Sequence, residues 1–324
     1  MIKTAGTPQK VKAGSLLSSR ASNRLGQLFL HILIIMLLLL MLMPFFWMVA
    51  TSLKPAADAT PQSLNGEDKS ISRFLGFFLP NGLHFENYGD AWNGNYGSSA
   101  KVPKDFFDAP FTRYFTNSII VGVAQTIGVL ITSTLAAYAF ARLKFWGSGI
   151  LFGFILATMA IPHEASYIPN LVIVTQLGNV AGALGTNTYT ALFLPWISSA
   201  FYIFLLRQFF MSLPQELYEA GQLDGLTDIG YLWRIAVPLS MPAILTVALF
   251  AFQGSWNAFL WPLIAAPTIP VIQTGLRTFL GNSEVGTEWD LLMAAATIGI
   301  VPMMFLYFLV QRRFIEGVSR TGIK

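Results

Sequence analysis

The side chains that could carry function in this chain are a few polar groups placed inside or beside long apolar runs. Glu164, next to His163, closely follows an apolar run that ends at Ile161. A carboxylate at the end of a membrane-crossing segment costs free energy, so by default it indicates a functional site. The alternative is a glutamate at the membrane interface that pairs with a neighbouring helix. The sequence leaves both interpretations of Glu164 open.

Several kinds of chemistry have no residues to carry them. The chain has no cysteine, which excludes a disulfide, a thiol nucleophile and a thiolate metal site. Its three histidines, His31, His84 and His163, show no ligand spacing. No lysine follows a glycine, so the phosphate-binding P-loop pattern is absent. We therefore predict no catalytic residue, no metal site and no cofactor in this chain.

Residues 212–242 form a polar, carboxylate-bearing segment between two apolar runs. Ser212 and Gln215 have the spacing of a capping box at a helix start. Gly225 is free to take the left-handed conformation that often ends a helix, and Thr227 can cap a second helix. Four residues recur at helical spacing and give one apolar face, namely Leu213, Leu217, Ala220 and Leu223. The segment predicts two short helices joined by a turn, with an apolar side that needs a partner.

The elements that must position these groups are membrane helices. Of the 324 residues, 54% are apolar and only 11% are charged, whereas soluble domains carry about 25% charged residues. The predicted fold class is therefore an all-α membrane protein with six transmembrane helices, at about residues 28–50, 114–141, 150–168, 189–210, 243–264 and 291–310. The third span is apolar only to Ile161, so crossing requires that it continue through Pro162 to Ile168.

The segments between and around these spans are polar. We interpret residues 1–27 as a cytoplasmic tail, 51–113 as an outer, periplasmic loop and 314–324 as a second cytoplasmic tail. A cleaved signal peptide is the alternative for residues 28–50, but the apolar core of such a peptide has about 7–15 residues.

The basic residues are distributed unequally between the two sides of the predicted membrane. Six spans place both termini on one side, together with residues 212–242. That side holds 13 of the 20 bases, and the other side holds seven: Lys54, Lys69, Arg73, Lys101, Lys104, Arg113 and Arg277. The positive-inside rule makes the side with 13 bases cytoplasmic. The net charge of +4 indicates membrane orientation rather than nucleic-acid binding.

The order of residues in the polar segment 212–242 resembles a known sequence motif. Glu219-Ala220-Gly221 and Asp224-Gly225, followed by Ile235, Pro238, Leu239 and Pro242, resemble the EAA loop of ABC-importer permeases, which docks in a cleft of the cytoplasmic ATPase subunit. Gly221 replaces the second alanine of that pattern, and Leu226 replaces the alanine after Asp-Gly. The resemblance implies that Glu219, Ala220, Gly221, Asp224 and Gly225 couple this chain to an ATPase.

The same resemblance extends from about Asn117 to the end of the chain. The motifs that carry it are Asn117-Ser118, Ala137-Tyr138-Ala139-Phe140-Ala141-Arg142-Leu143, Ile161-Pro162 with Glu164 and Ile168-Pro169, Leu206-Arg207-Gln208-Phe209-Phe210, Trp256-Asn257 with Phe259-Leu260-Trp261-Pro262-Leu263, and Gln311-Arg312 with Phe314 and Gly317. In order and spacing they are similar to the carbohydrate-importer permeases, the class that includes maltose-type permeases.

This resemblance implies a type I ABC importer permease fold with its core at residues 114–313 and a cytoplasmic helix-turn-helix coupling loop at 212–242. It implies a multi-pass protein of the bacterial inner membrane. The partners it implies are a second homologous permease, an ATPase dimer that binds ATP and Mg²⁺, and an extracytoplasmic solute-binding protein. Membrane lipid surrounds such a chain, and no nucleic acid is involved. The solute would be sugar-like: a sugar, a polyol or a glycerol phosphate.

Four residues are candidates for the path of such a solute: Glu164, Gln253, Trp256 and Asn257. Trp256 falls on one face of the fifth span, and Gln253 and Asn257 fall on an adjacent face. Aromatic rings suit the C–H patches of a sugar, and amides suit its hydroxyls. Helix packing is the alternative for Trp256, and an interhelical hydrogen bond is the alternative for Asn257.

Two other function classes would require features that can be looked for in the sequence. A secondary transporter driven by an ion gradient would show repeated, broken helices with acids near the membrane midplane. A membrane-embedded enzyme would need a constellation of ionisable groups within the spans. Glu164 is the one candidate acid for a transporter or an enzyme of these kinds, and no internal repeat is visible.

Overall fold

The computed structural model describes residues 13–59, 76, 78–94, 110–280 and 287–321, with side chains described for most of these positions between 26 and 311. Throughout these ranges the regular structure is helical and no strand is present, which agrees with the all-α prediction. Of the predicted tails, residues 1–12 and 322–324 lie outside the described residues, as does a large part of the predicted loop at 51–113. The described parts of both tails are helical and continue the first and the last span, from Ala13 and up to Thr321.

The helices are numbered in chain order. They are α1 Ala13–Ser52, α2 Ala56–Ala59, α3 Glu86–Asn93, α4 Phe111–Arg142, α5 Ser148–Thr158, α6 Tyr167–Val180, α7 Tyr189–Phe193, α8 Ala200–Ser212, α9 Gln215–Leu223, α10 Asp228–Tyr231, α11 Val237–Leu239, α12 Met241–Trp256, α13 Leu260–Ala265, α14 Ile272–Leu276 and α15 Trp289–Thr321. Turns of 3₁₀ helix cover His163–Ser166, Gly182–Leu184, Leu194–Trp196 and Arg277–Leu280, and a π-helical turn covers Leu232–Ala236.

Four helical stretches in the described part of the chain are long and apolar enough to cross a membrane: Gly26–Ser52, Phe111–Arg142, Gly182–Ser212 and Trp289–Gln311. Two further spans result if each of two bent helix pairs counts as one, namely Ser148–Thr158 with His163–Val180 and Asp228–Leu239 with Met241–Trp256. The prediction of six spans therefore holds only with the bent pairs included.

The third predicted span, 150–168, is wrong as a continuous helix. Helix α5 ends at Thr158, and the chain turns by 101° before it continues into α6. Pro162 has extended backbone angles, with ψ at 136°, and the residue before a proline is itself disfavoured in the α conformation. The predicted continuation from Pro162 to Ile168 is thus a 3₁₀ turn and the start of a new helix.

The fourth and fifth predicted spans are also interrupted. Between α7 and α8 lie the 3₁₀ turn at Leu194–Trp196 and three irregular residues. Helix α12 ends at Trp256, and α13 begins only at Leu260. Irregular backbone at membrane depth is tolerated where it is buried in protein or lines a cavity. We therefore expect these breaks either to be buried in protein or to line a cavity.

Helix α4 is the centre of the bundle and packs against α8 and α12. Glycines allow this close approach, because a Cβ on Gly122 would lie 2.8 Å from a ring carbon of Phe252. In the same way, a Cβ on Gly128 would lie 2.6 Å from the side chain of Ile197, in the break before α8. Real Cβ contacts are longer than this, so larger residues at either position would force the helices apart.

The N-terminal end of α4 holds the connection before α14. The Asn117 side chain donates to the carbonyl of Pro270 at 2.7 Å and accepts from the Tyr189 hydroxyl at 2.7 Å. The Ser118 hydroxyl accepts from the backbone N–H of Ile272 at 2.8 Å. The Asn117-Ser118 motif thus has a structural role, since it satisfies buried backbone groups of a loop more than 150 residues away.

Candidate functional site

The segment 212–242, called the coupling segment below, folds as the predicted pair of short helices. Its start differs from the prediction, because the capping box of Ser212 and Gln215 does not form. The Ser212 hydroxyl instead donates to the carbonyl of Phe209 at 2.7 Å, and the Gln215 side chain accepts from Arg142 at 2.9 Å. Helix α9 begins after Pro214, whose missing N–H falls where a helix needs none.

The turn between the two helices is set by local sequence. Gly225 has φ at +79°, and its N–H donates to the carbonyl of Gln222 at 3.0 Å. The N–H of Leu226 donates to the carbonyl of Gly221 at 2.9 Å. These two bonds form a Schellman motif with glycine in the left-handed position. The Thr227 hydroxyl then accepts from the N–H of Gly230 at 3.2 Å, as a helix cap does.

Gly221 faces the interior of the chain rather than a partner. It is buried, and a Cβ at this position would lie 3.1 Å from a ring carbon of Tyr231. Gly221, predicted as one of the residues that couple the chain to an ATPase, therefore does not lie on the surface that a partner would contact. The residue allows α9 to lie close to Tyr231 in the second half of the segment, and Ala220 is the small residue that remains exposed.

The outward side of the coupling segment is exposed and partly apolar. Glu219, Ala220, Asp224 and Gly225 are all exposed. Beside them are three exposed large apolar side chains, Leu223, Ile229 and Trp233, of which Leu223 is 89% exposed. Large exposed apolar side chains on a polar segment are typical of a protein interaction site. We name these seven residues the docking face.

The inward side of the segment is bound firmly to the bundle. Arg142, the last residue of α4, donates to the carbonyl of Leu213 at 2.6 Å as well as to Gln215. Tyr231 is buried, and its ring lies 6.3 Å from that of Tyr138 on α4. The coupling segment is therefore attached to the C-terminal end of α4.

A hydrogen-bond network also joins the two halves of the segment. The Tyr218 hydroxyl donates to the Asp228 carboxylate at 2.7 Å and accepts from Gln222 at 2.9 Å. The hydrogen bond to Asp228, with a smaller effect of burial, raises the pKa of Tyr218. The hydroxyl thus links α9 to α10 through its bond to Asp228.

A cavity of about 930 Å³ lies where the three helix breaks meet. The turn after α5, the break before α8 and the break after α12 all line it, together with Ser118, Val121 and Gln125 of α4. Glu164 and Asn257, from two different breaks, both line this space. The structure thus brings together two of the four residues predicted for a solute path.

The other two predicted path residues lie elsewhere. Trp256 is only 2% exposed, and its indole N–H donates to the carbonyl of Gly299 at 3.1 Å. It stacks on Phe252 and therefore packs in the core of the chain, which contradicts the prediction that it lines a path. Gln253 is exposed but does not line the cavity.

Glu164 is exposed to the cavity, and its carboxylate has no hydrogen bond or ion pair with any described residue. The alternative interpretation is a glutamate that pairs with a neighbouring helix. Among the described residues, Glu164 forms no such pair. The side chains of Asn170 and Asn257 also line the cavity and have no hydrogen-bond partner among the described residues. These groups are therefore available to a solute.

Sequence reasoning missed an aromatic cluster on the cavity wall. The His163 ring lies 4.2 Å from Trp196, and Trp196 contacts Tyr167 and Trp261 at 5.7 and 5.3 Å between ring centroids. Trp261 is buried and donates to the carbonyl of Ala191 at 3.1 Å, so it supports the cluster from behind. No local pattern unites these rings, because they come from three separate parts of the chain.

Comparisons with known proteins show the family to which this chain belongs. Residues 128–320 match the family described as binding-protein-dependent transport system inner membrane component. The sn-glycerol-3-phosphate transport system permease protein UgpE of Yersinia enterocolitica is 29% identical over 300 residues, which cover 91% of this chain and 97% of that protein. The arabinooligosaccharides transport system permease protein AraQ of Bacillus subtilis is also 29% identical over 300 residues, which cover 91% and 95%.

A third relative and one solved structure complete the comparison. The probable ABC transporter permease protein YurM of Bacillus subtilis is 30% identical over 285 residues, covering 87% of this chain and 83% of that protein. A chain in the crystal structure of a bacterial ABC transporter involved in the import of the acidic polysaccharide alginate matches with a TM-score of 0.70 and 21% identity. This match covers 95% of the present chain and 100% of that chain and indicates a common fold.

Proposed function

We propose, from the premise that this chain belongs to the family of binding-protein-dependent transport system inner membrane components, that it is one of two permease subunits of an ATP-driven ABC importer. A second, homologous permease would complete the path. An ATPase pair on the cytoplasmic side, which would bind the ATP and Mg²⁺, would drive the cycle. A solute-binding protein on the outer side would deliver the substrate.

The observation that carries this proposal is the docking face. Its apolar residues are exposed although the helices that bear them are held rigidly to α4 through Arg142 and Tyr231. An exposed apolar surface on a rigid support favours a macromolecular partner. Helix α4 runs from this contact to the cavity, where Gln125 lies 17 residues before Arg142, or about 25 Å along a helix. Movement of the coupling segment would therefore reach the cavity directly.

The solute that this importer carries should be sugar-like. One relative is named for sn-glycerol-3-phosphate and another for arabinooligosaccharides. We expect the present solute to belong to the same broad class of sugars, polyols and glycerol phosphates. The ion-gradient alternative does not agree with membership of this family.

The experiment that tests the function is reconstitution. The chain is produced together with the second permease and the ATPase encoded near it, placed in liposomes, and supplied with the binding protein. We expect ATP hydrolysis that the loaded binding protein stimulates, together with uptake of solute. Uptake that an ion gradient drives without ATP would contradict the proposal.

The orientation of the chain can be measured by cysteine labelling, since the natural chain has no cysteine. We propose that both termini and the coupling segment are cytoplasmic in the bacterial inner membrane. Val180→Cys and Trp146→Cys are a matched pair, because these side chains are 87% and 98% exposed. In whole cells, an impermeant thiol reagent should label position 180 and spare position 146 as well as a cysteine at residue 10. The reverse pattern would overturn the orientation.

Asp224 should contribute to docking rather than to the turn. Its carboxylate is exposed and has no hydrogen bond with a described residue, so it is available to a base on the ATPase. We expect Asp224→Ala to weaken the affinity of the ATPase for the solubilised permease pair by about three- to tenfold, and to reduce its salt dependence. Glu216→Ala, at an exposed position in the first turn of α9, is the control. Equal affinities and salt slopes would refute this role.

A further inference from the structure

We infer that the cavity takes a neutral, hydroxyl-rich solute, that is a glycoside or a polyol, rather than a phosphate or a uronate. This inference rests on the proposed transport function and narrows its substrate class. It follows from three properties of the wall: unpartnered acceptor groups, an aromatic surface and the sign of its charge.

The unpartnered groups are those that bind hydroxyls. Glu164, Asn170 and Asn257 come from the turn after α5, from α6 and from the break after α12, and all three line the cavity. Their side chains make no hydrogen bond with described residues, so a solute would not need to break an existing contact. A carboxylate accepts from hydroxyls, and an amide both donates and accepts. A solute with several hydroxyls can satisfy all three.

The aromatic surface suits the C–H face of a sugar ring. Trp196 is held at the edge of the cavity, because Trp261 and Tyr167 contact it at steep angles of 87° and 81°. The exposed ring of His163 lies against Trp196, with 4.2 Å between the ring centroids and 37° between the ring planes, so the two rings form one aromatic patch. Rigid rings next to a few placed polar groups are typical of small-molecule sites. A pyranose or furanose ring that lies on this patch would share the cavity with Asn257 and Glu164, which can bind its hydroxyls.

The charge of the wall selects against anions. Glu164 is the one carboxylate among the described residues that line the cavity, and this described lining contains no lysine or arginine. A phosphate or uronate in this space would meet a like charge in a partly enclosed region, where charge interactions are stronger than in bulk water. A neutral solute has no such penalty.

The charge selectivity can be measured without knowing the natural solute. Ser199→Cys places a thiol on the cavity wall of a chain that otherwise has none. The assembled complex of both permeases and the ATPases is treated at pH 8 with methanethiosulfonates that carry a sulfonate, a trimethylammonium or a neutral hydroxyethyl group. Labelling of this chain is read by mass spectrometry and normalised to Val180→Cys in the same complex.

We expect the sulfonate reagent to react more slowly than the trimethylammonium reagent at position 199, by about three- to tenfold after normalisation. Glu164→Gln should remove most of this difference, while Glu216→Gln, which changes an equal charge on the coupling segment, should not. A faster reaction of the sulfonate reagent would overturn the inference. A difference that is unchanged by Glu164→Gln would also overturn it, as would a thiol that none of the reagents reaches.

Protection of the same thiol tests the ring contact. Arabinotriose, a neutral oligosaccharide, should slow labelling by the hydroxyethyl reagent more than an equal concentration of glycerol 3-phosphate. Trp196→Ala should abolish this protection, whereas Trp146→Ala at the opposite, fully exposed position should preserve it. Stronger protection by glycerol 3-phosphate, or none by arabinotriose, would refute the assigned class. These measurements need no ATP hydrolysis, so their failure is distinct from a failure of the proposed function.

Discussion

Replacing Gly225 with valine should strongly lower both binding-protein-stimulated ATP hydrolysis and solute uptake while leaving membrane insertion intact. Gly225 has φ at +79°, a conformation that costs an L-residue about 1–2 kcal/mol and is worst for a β-branched side chain. A Cβ at this position would meet no atom within 4 Å. The expected effect therefore comes from the backbone conformation and not from a clash.

The consequence of Gly225→Val is a changed angle between α9 and α10. The strained turn would give up the bond from Leu226 to Gly221, and the docking face would lose its shape. A cost of this size predicts that stimulated ATP hydrolysis and uptake both fall by about tenfold. Both are measured on the purified, reconstituted complex, with the amount of inserted chain determined separately.

Gly225→Asn is the matched control, because asparagine tolerates the left-handed conformation far better than valine. We expect it to retain most of the activity. If Gly225→Val assembles normally and transports at the rate of the natural chain, the coupling segment is not the coupling element.

Arg142→Ala should separate ATP hydrolysis from transport. Arg142 ends α4 and donates to Leu213 at 2.6 Å and to Gln215 at 2.9 Å, at the start of the coupling segment. Without these bonds the docking face can still bind the ATPase, but its movement is transmitted less completely to α4 and the cavity. Hydrogen bonds from a charged donor contribute about 1.5–3 kcal/mol, less where they are exposed. We expect solute uptake per ATP hydrolysed to fall by about three- to tenfold.

Two variants make this experiment specific. Lys144→Ala removes an exposed base from the same turn, one that has no hydrogen bond to a described residue, and should leave the ratio unchanged. Arg142→Lys keeps the charge but lacks the two-pronged geometry of the guanidinium, so an intermediate ratio is expected. An unchanged ratio of uptake to hydrolysis in Arg142→Ala would exclude this residue from the transmission of movement.

The amino-acid sequence by itself determined the features that depend on neighbouring residues. The composition indicated a membrane protein, and the apolar runs indicated the spans. The Asp224-Gly225 turn and the Thr227 cap could be predicted because a left-handed glycine and a capping hydroxyl act within a few residues. The motif around Glu219 indicated the family for the same reason, since its order along the chain is itself the signal.

Only the tertiary structure decided which apolar and small residues face the interior. In a membrane protein the lipid-facing and core-facing sides of a helix are both apolar, so the sequence pattern does not distinguish them. Trp256 is therefore buried where a path residue was predicted. Gly221 lies in the polar coupling segment, where a glycine occurs at the surface as well as at close packing contacts, and it packs against Tyr231 although it was predicted as a coupling residue.

The cavity is also a feature that only the tertiary structure decided. Its wall combines His163, Trp196 and Asn257, which are separated by more than 30 residues at each step. Their approach depends on the breaks after α5 and α12 and on how closely the glycines of α4 allow the helices to pack. Proline and glycine can be read in a sequence, but the angle at a break is set by the helices packed on both sides of it. For this reason the sequence could indicate Glu164 and Asn257 as separate candidates. Only the packing of the bundle places both residues at one cavity.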